Sequence, residues 1–367
     1  MKKAILTTIQ ILVTVGILVW VFHDPKKRAD MFGAIRNANL LWILAGVAAY
    51  GVVEVFAAAR WQILLRVQGI SLGWIRLGAL LMIGIFFNLF MPGGTGGDVV
   101  KIFFLLKETP GKKAQALLAV LIDRVVGLLG LILVAGVVIA LRWDWLRQGQ
   151  PIPHFEWAWL GSMTAMKQWF STIPNTTKLL YTLLLILGAS IVGVLFSFAI
   201  TGFGLIQKLP HRMPMRDKFI DLAVAYNLYA RAWVSSLLAI AISVGVHIAS
   251  FYVFYSAARA LRAGVSLLDF FAVMPIINTL AALPISVGGT GPREGLFQTL
   301  LSELCGVSEG QAVAISLTGF VIIVFWGLVG GAIYAFYRPS EHAKLSEIEH
   351  EVEVLEHEIA ESEEAKS

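Results

Sequence analysis

The chain has 367 residues, of which 57% are hydrophobic and only 14% charged, and its mean hydropathy is +0.77. These values exclude an ordinary soluble domain and predict an all-α, polytopic membrane protein. The single cysteine, Cys305, argues against an internal disulfide framework and against a cysteine metal site, and is interpreted as a small apolar core residue.

Charge divides the chain into a basic body and an acidic tail. From Glu341 onward there are ten Glu and two Lys, a net charge of −8, which leaves a net charge of +13 on the residues before it. A basic body suits anionic lipid headgroups and cytoplasmic loops. We therefore predict a transmembrane domain over 1–339 and a cytoplasmic helical tail over 340–367. The tail either binds a protein partner or a second copy as a coiled coil or stays a solvated helix.

The apolar runs predict about eight hydrophobic segments, the first of which is interpreted as an uncleaved helix rather than a signal peptide. In chain order they cover 5–22, 40–59, 74–106, 115–141, 178–203, 232–256, 267–300 and 311–337. The third and seventh segments are interrupted by glycine and proline, which predicts hairpins that enter and leave on the same side. The pair Arg60-Trp61 is expected at the headgroup level, where aromatic rings and cations are common.

One glycine motif occurs twice, and the spacing between its copies is shared by other short matches. Gly-Gly-Thr-Gly begins at Gly93 and again at Gly288, which are 195 positions apart, and Ser71-Leu72 and Ser266-Leu267 have the same separation. Ala58-Ala59-Arg60 is echoed by Ala257-Ala258-Arg259 with a slip of four residues. The chain is therefore predicted to contain two related halves, about 1–177 and 178–339.

With the N-terminus inside and both broken segments re-entrant, the basic loops 60–73, 107–114 and 204–230 all become cytoplasmic, as the positive-inside rule requires. The second half then repeats the first in inverted orientation. Inverted repeats with broken helices at matching positions indicate a transport site near the middle of the bilayer.

Each glycine turn leads into a new helix, whose free N–H groups and positive dipole end favour phosphate or carboxylate. Pro292 is expected at the first helical position and Glu294 in the first turn. Arg293 and Lys101 add positive charge close by, and Arg293 is expected in a water-accessible cavity. The candidate substrate-binding residues are Gly93, Gly94, Thr95, Gly96, Gly97, Asp98, Lys101, Asp123, Arg124, Gly288, Gly289, Thr290, Gly291, Arg293 and Glu294.

Other interpretations of the same residues remain open. Glycine turns can serve helix packing alone, and Asp98 could pair with Arg293 as a static bridge. Asp123 and Arg124 should diverge because they are adjacent on a helix, and Arg124 could face Asp98. Glu54 is similarly placed in an apolar span, and His247 is interpreted as a hydrogen-bonded core histidine rather than a proton carrier.

The sequence gives little support for an enzyme. It has no nucleophile and base pair, no metal-ligand spacing and no nucleotide-binding loop, since Gly93 to Gly97 is not followed by Lys-Ser or Lys-Thr. No cofactor, metal or nucleic-acid partner is expected.

With both glycine motifs and Asp123-Arg124, the sequence resembles the flippase-like membrane family typified by the transmembrane region of lysylphosphatidylglycerol synthases. The resemblance extends over nearly all of residues 1–338 and implies lipid translocation between leaflets. Complete multifunctional members add a soluble aminoacyl-transfer domain. The resemblance here covers only the membrane part, so it does not imply lipid lysylation.

The resulting hypothesis is an inner-membrane transporter, with both termini cytoplasmic, that moves an anionic phospholipid or polyprenyl-phosphate lipid between leaflets. Lys101, Arg124 and Arg293 would meet phosphate, while Asp98, Asp123 and Glu294 would hold those cations or couple movement to protons. The alternative is a non-transporting partner that presents lipid to a membrane or envelope-synthesis enzyme, or that acts as a scaffold through its tail.

Overall fold

The computed structural model of the protein describes residues 23, 25–90, 96–109, 112–144, 227–281 and 291–337, with short pieces between 180 and 193. The main helices in these ranges are α1 Pro25–Arg36, α2 Leu40–Val67, α3 Trp74–Phe90, α4 Gly96–Glu108, α5 Lys113–Leu141, α6 Trp233–Ala260, α7 Leu267–Ala281, α8 Pro292–Cys305 and α9 Glu309–Phe336. The predicted first segment, the two glycine turns, most of the span 178–203 and the acidic tail lie outside the described residues.

Local chemistry explains where several helices begin and end. The Asn39 side chain caps α2 by accepting from the Leu41 amide at 2.9 Å, and Ser308 caps α9 in the same way through the Gln311 amide. Pro292 stands at the start of α8, as predicted. Helix α8 ends at Gly306, whose φ of 68° is the left-handed conformation that glycine adopts at helix ends.

In the part of the chain that the structure describes, four helices are long and apolar enough to cross a membrane: α2, α6, α9 and, within α5, residues Gln115–Leu141. Their outer faces carry large exposed apolar side chains, including Leu41 on α2 and Val321 on α9. Such faces suit contact with acyl chains. The predicted second segment ended at residue 59, whereas α2 continues to Val67.

Helices α2 and α6 form the most extensive pair and run antiparallel. The Asn39 amide donates to the Ala260 carbonyl at 2.8 Å at one end. Gly46 faces Ser256 further along, and the Arg60 guanidinium reaches the Ser243 hydroxyl towards the other end. These two helices are the ones that share the Ala-Ala-Arg sequence match, so the two segments that carry this match lie side by side in opposite directions.

The remaining helices pack in a pattern that repeats when α2–α5 are exchanged for α6–α9. Helix α3 packs on α4 as α7 packs on α8; α3 packs on α9 as α7 packs on α5; and α4 packs on α5 as α8 packs on α9. The open end of the α3–α4 hairpin is closed by an ion pair of 3.0 Å between Arg76 and Glu108. Both limbs of that hairpin therefore meet at one end of the bundle.

Polar contacts identify the two ends of the bundle. We call one the Tyr337 end, where the Tyr337 hydroxyl donates to Glu108 and Lys112 reaches the Gly69 carbonyl. We call the other the Arg142 end, where Arg142 pairs with Asp269 and Gln311 donates to the Leu261 carbonyl. Helix α5 connects them and is about 43 Å long at 1.5 Å per residue.

Candidate functional site

The first helix hairpin is held by backbone contact at Gly97. The Gly97 amide donates to the Asn88 side-chain oxygen at 2.8 Å. A Cβ on Gly97 would lie 2.0 Å from the Gly84 carbonyl oxygen, so a larger residue cannot fit without a shift of the backbone. The start of α4 is thus pressed directly against α3.

Gly97→Ala is expected to lower the free energy of unfolding by about 1–3 kcal/mol, the usual range for overpacking. Gly136 on α5 is a matched control, because a Cβ there meets no atom within 4 Å and alanine favours a helix interior by up to about 1 kcal/mol. Thermal unfolding of the purified variants measures both effects. Equal unfolding midpoints for the two variants would show that the contact between Gly97 and Gly84 leaves room for a methyl group.

Asp98, in the first turn of α4, is the centre of a charge cluster. It pairs with Arg124 of α5, and the Lys101 ammonium lies 3.6 Å from its other oxygen. Lys101 also lies over the Trp61 ring, 5.9 Å from the ring centre. The sequence-based option that Arg124 faces Asp98 is therefore confirmed.

Asp123 and Arg124 diverge, as expected for neighbours on a helix. Asp123 accepts two hydrogen bonds from Arg60 of α2, at 2.7 and 3.0 Å, and Arg60 also reaches Ser243 on α6. Arg60 and Trp61 were predicted at the headgroup level. In the structure Arg60 is paired between helices and Trp61 is buried in the core; their depth in the membrane stays a prediction. The match between Ala58-Ala59-Arg60 and Ala257-Ala258-Arg259 could have suggested a structural role for Arg60. Nothing in the sequence around Arg60 indicates that Asp123 is its partner.

Two other polar residues of the long helices lie near this cluster. Tyr50 lies one turn before Glu54 on α2, and both Lys101 and Arg60 act on Glu54 electrostatically. His247 bonds to the Gly127 carbonyl at 2.8 Å, which supports its interpretation as a hydrogen-bonded core histidine. Glu54, Asp98 and Asp123 thus balance Lys101, Arg60 and Arg124, and this six-residue charge cluster has no net formal charge.

The second site, at the start of α8, is a closed network. The Gly291 amide donates to one Glu294 oxygen at 2.6 Å, and the other oxygen accepts from Arg293 at 2.7 Å and from Ser316 at 3.1 Å. The Arg293 guanidinium stacks on Phe320, 4.4 Å from the ring centre. Gly291 has a φ of 92°, which favours glycine because other residues are strained there.

The two sites differ sharply in access. The Arg293 side chain is only 9% exposed and its partner Glu294 is fully buried, whereas the Arg124 side chain is 57% exposed. The prediction that Arg293 lies in a water-accessible cavity is therefore wrong, because Glu294, Ser316 and Phe320 enclose it. The option of an Asp98–Arg293 bridge is also wrong, since each residue has a different partner.

Polar contacts at each end of the bundle join helices that are distant in the sequence. At the Tyr337 end, Glu108 accepts from Tyr337 at 3.2 Å as well as from Arg76. Burial and the Glu108 carboxylate raise the pKa of Tyr337 to about 12, so its hydroxyl remains a donor at neutral pH. At the Arg142 end, Asp269 pairs with Arg142 and is oriented by Ser266 at 2.6 Å.

The described residues contain no group of three or more His, Cys, Asp or Glu that could hold a metal ion. Of the predicted site residues, Gly96, Gly97, Asp98, Lys101, Asp123 and Arg124 lie around the α3–α4 hairpin and α5, and Gly291, Arg293 and Glu294 lie at the start of α8. The others, Gly93, Gly94, Thr95, Gly288, Gly289 and Thr290, lie outside the described residues.

Long apolar helices with charged side chains paired between them define a helical membrane protein. The chain belongs to the family described as the lysylphosphatidylglycerol synthase TM region, whose model matches residues 7–331. It is also 28% identical over 127 residues to a UPF0104 membrane protein of Pyrococcus horikoshii, a match that covers 34% of this chain and 36% of that protein. The chain thus matches little more than a third of this curated relative's length. The resemblance predicted from the glycine motifs is confirmed.

Proposed function

We propose that this protein is a lipid transporter that moves an anionic phospholipid or polyprenyl-phosphate headgroup between leaflets while the tails remain in the bilayer. The observation that carries the proposal is Arg124, which combines high exposure with a deep position. It lies about 16 Å from the first residue of α5, measured along the helix axis, and 57% of its side chain is exposed.

An exposed arginine at that depth is difficult to reconcile with contact to acyl chains. A charged side chain at the centre of a spanning helix costs at least about 2.5 kcal/mol, and such residues face cavities or partners. Asp98 neutralises one edge of the guanidinium, but the rest is open. In our proposal, an aqueous cavity beside α5 admits phosphate oxygens, which accept hydrogen bonds from the exposed edge of the Arg124 guanidinium.

The packing of the helices supports a transporter built from inverted halves. Helices α2 and α6 run antiparallel, the other contacts repeat between the halves, and the α3–α4 hairpin has both limbs at the Tyr337 end. In our proposal both broken segments are re-entrant and their tips approach the middle of the bilayer. Both termini are cytoplasmic and the protein lies in the inner membrane.

Within this scheme the residues have separate roles. Arg124 and Lys101 meet the phosphate, and Asp98 holds both cations in position between turnovers. Asp123 fixes Arg60 at the edge of the same cluster. Glu294 and Arg293 stabilise the start of α8, with Gly291 forming the last residue of its turn. The protein acts as a carrier and not as an enzyme.

Arg124→Gln is expected to slow lipid movement about 10- to 100-fold, the effect of losing one hydrogen bond to a charged group, worth about 1.5–3 kcal/mol. The fold should persist, because Asp98 keeps Lys101 nearby. The measurement is transbilayer movement of fluorescent phosphatidylglycerol and of a polyprenyl phosphate in proteoliposomes. Arg124→Lys should retain part of the rate, since the charge remains although the planar fork is lost.

Arg66→Gln is the matched control, because Arg66 is an exposed arginine in the last turn of α2 and lies outside the charge cluster. Unchanged lipid movement in a folded Arg124→Gln protein would show that Arg124 does not bind the headgroup. If the wild-type protein accelerates none of the anionic lipids, the transport proposal fails and the non-transporting alternative is favoured.

A further inference from the structure

The contacts at the two ends of the bundle occupy corresponding positions in the two sequence halves. Arg142 and Tyr337 are 195 positions apart, the same separation as the two glycine motifs. Each follows the last long helix of its half, α5 or α9, and each contacts a hairpin of the other half. Tyr337 bonds to the end of α4, and Arg142 pairs with the first turn of α7.

Their chemistry differs although their positions correspond. At the Tyr337 end a neutral phenol donates to Glu108, which also receives Arg76 from the start of α3. At the Arg142 end a guanidinium meets Asp269, and Arg142 also acts electrostatically on Cys305 at the end of α8. Each contact therefore lies where the two limbs of one hairpin approach each other.

We infer that the Tyr337–Glu108 and Arg142–Asp269 contacts are two gates that open alternately, so that Tyr337, Glu108, Arg142 and Asp269 are positioning residues for headgroup passage. This inference rests on the proposed lipid transport. Arg124 is already exposed in the structure, so the gates would control the passage of a headgroup between Arg124 and either end of the bundle. That passage requires one hairpin to move away from the last long helix of the opposite half, and these polar contacts resist that movement. Both are formed in the structure, which is therefore a state with both gates closed.

Alternation follows from the geometry of the halves. Helix α5 contacts the first hairpin through α4 and carries Arg142 at its far end, while α9 contacts the second hairpin through α8 and carries Tyr337. A rocking movement of one half against the other would separate one gate as it compresses the other. Weakening one contact should therefore increase water access from its own end and decrease it from the opposite end.

The test uses a cysteine at position 121 in the full-length protein. Leu121 is exposed on α5, one turn before Arg124, and the native thiol is first removed by Cys305→Ser. Proteoliposomes containing Leu121→Cys are labelled with a membrane-impermeant maleimide from one side at a time. A thiol that faces only acyl chains does not react with such a reagent, so the labelling rate reports water access.

Tyr337→Phe is expected to increase labelling from the Tyr337 side about fivefold, the shift expected when one hydrogen bond is lost, and to decrease labelling from the other side. Asp269→Asn should do the reverse, by about tenfold, because a charged partner is lost. Tyr334→Phe is the matched control: Tyr334 lies one turn earlier on α9, and its ring packs on Phe87 and Phe104.

Opposite changes on the two sides support alternating gates. Equal increases on both sides, which general loosening of the fold would produce, overturn the inference, and so does labelling that neither variant alters. Measuring lipid movement in the same vesicles separates the two proposals. Opposite changes in access without movement of any lipid would leave the gates standing and refute transport, whereas lipid movement with unchanged access would refute the gates alone.

Discussion

Arg293→Gln is expected to destabilise the protein by about 3–5 kcal/mol, because it leaves the carboxylate of Glu294 buried without its cation. Glu294 is fully buried, and Arg293 supplies two of its hydrogen bonds, at 2.7 and 3.1 Å. Ser316 and the Gly291 amide would remain as donors, but neither carries a charge. The expected result is a lower unfolding midpoint and poor expression.

A second substitution distinguishes pairing from simple loss of packing. Arg293→Gln combined with Glu294→Gln should recover most of the lost stability, because a neutral amide can still accept from the Gly291 amide and requires no cation. Arg293→Lys should be intermediate, since it keeps the charge but loses the planar stack on Phe320. If the single variant unfolds at the wild-type midpoint, the network at the start of α8 contributes nothing to stability.

Asp123→Asn is expected to have a cost of similar size, about 3–5 kcal/mol, because Arg60 loses both charged hydrogen bonds inside the bundle. Arg60→Gln should be equally costly, since it leaves Asp123 without its cation. The double variant Arg60→Gln with Asp123→Asn should be more stable than either single variant. Chemical or thermal unfolding of the four proteins gives the coupling energy directly.

The Ala-Ala-Arg sequence match supplies a control for this double-mutant cycle. Arg259 is the sequence echo of Arg60, yet it is exposed and stacks on Trp42, 5.3 Å from the ring centre. Arg259→Gln should therefore cost no more than about 1 kcal/mol, as expected for an exposed cation–π contact. If Arg259→Gln lowers the free energy of unfolding as much as Arg60→Gln does, burial does not explain the difference expected between these two arginines.

The comparison of Arg60 with Arg259 shows what could be predicted from the sequence. Hydropathy located α5, α6 and α9 within a few residues but ended α2 well before Val67, and Pro292 correctly predicted the start of α8, because apolar length and proline chemistry act locally. The partners of charged residues could not be predicted, since they depend on which face of each helix meets which neighbour. Arg293 was expected to be accessible but is buried, and the partner of Arg60, Asp123, was not predicted.

Divergence of Asp123 and Arg124 could be predicted because adjacent residues on one helix point in different directions whatever surrounds them. The identity of Arg124 as the exposed cation could not, because exposure depends on the packing of α4 and α5 around it. Sequence pattern thus predicted most of the long helices and a set of candidate site residues. Packing decided which cation is left open to a ligand.

The formal neutrality of the six-residue charge cluster bears on the electrical character of the proposed transport. While Glu54, Asp98 and Asp123 are all ionised they compensate Lys101, Arg60 and Arg124, so a monoanionic headgroup that enters finds no surplus positive charge to cancel its own. Carried across alone, it moves one negative charge through the membrane potential, which corresponds to about 2.3 kcal/mol per 100 mV. The voltage across the membrane would then drive the headgroup towards the electrically positive side and oppose its return.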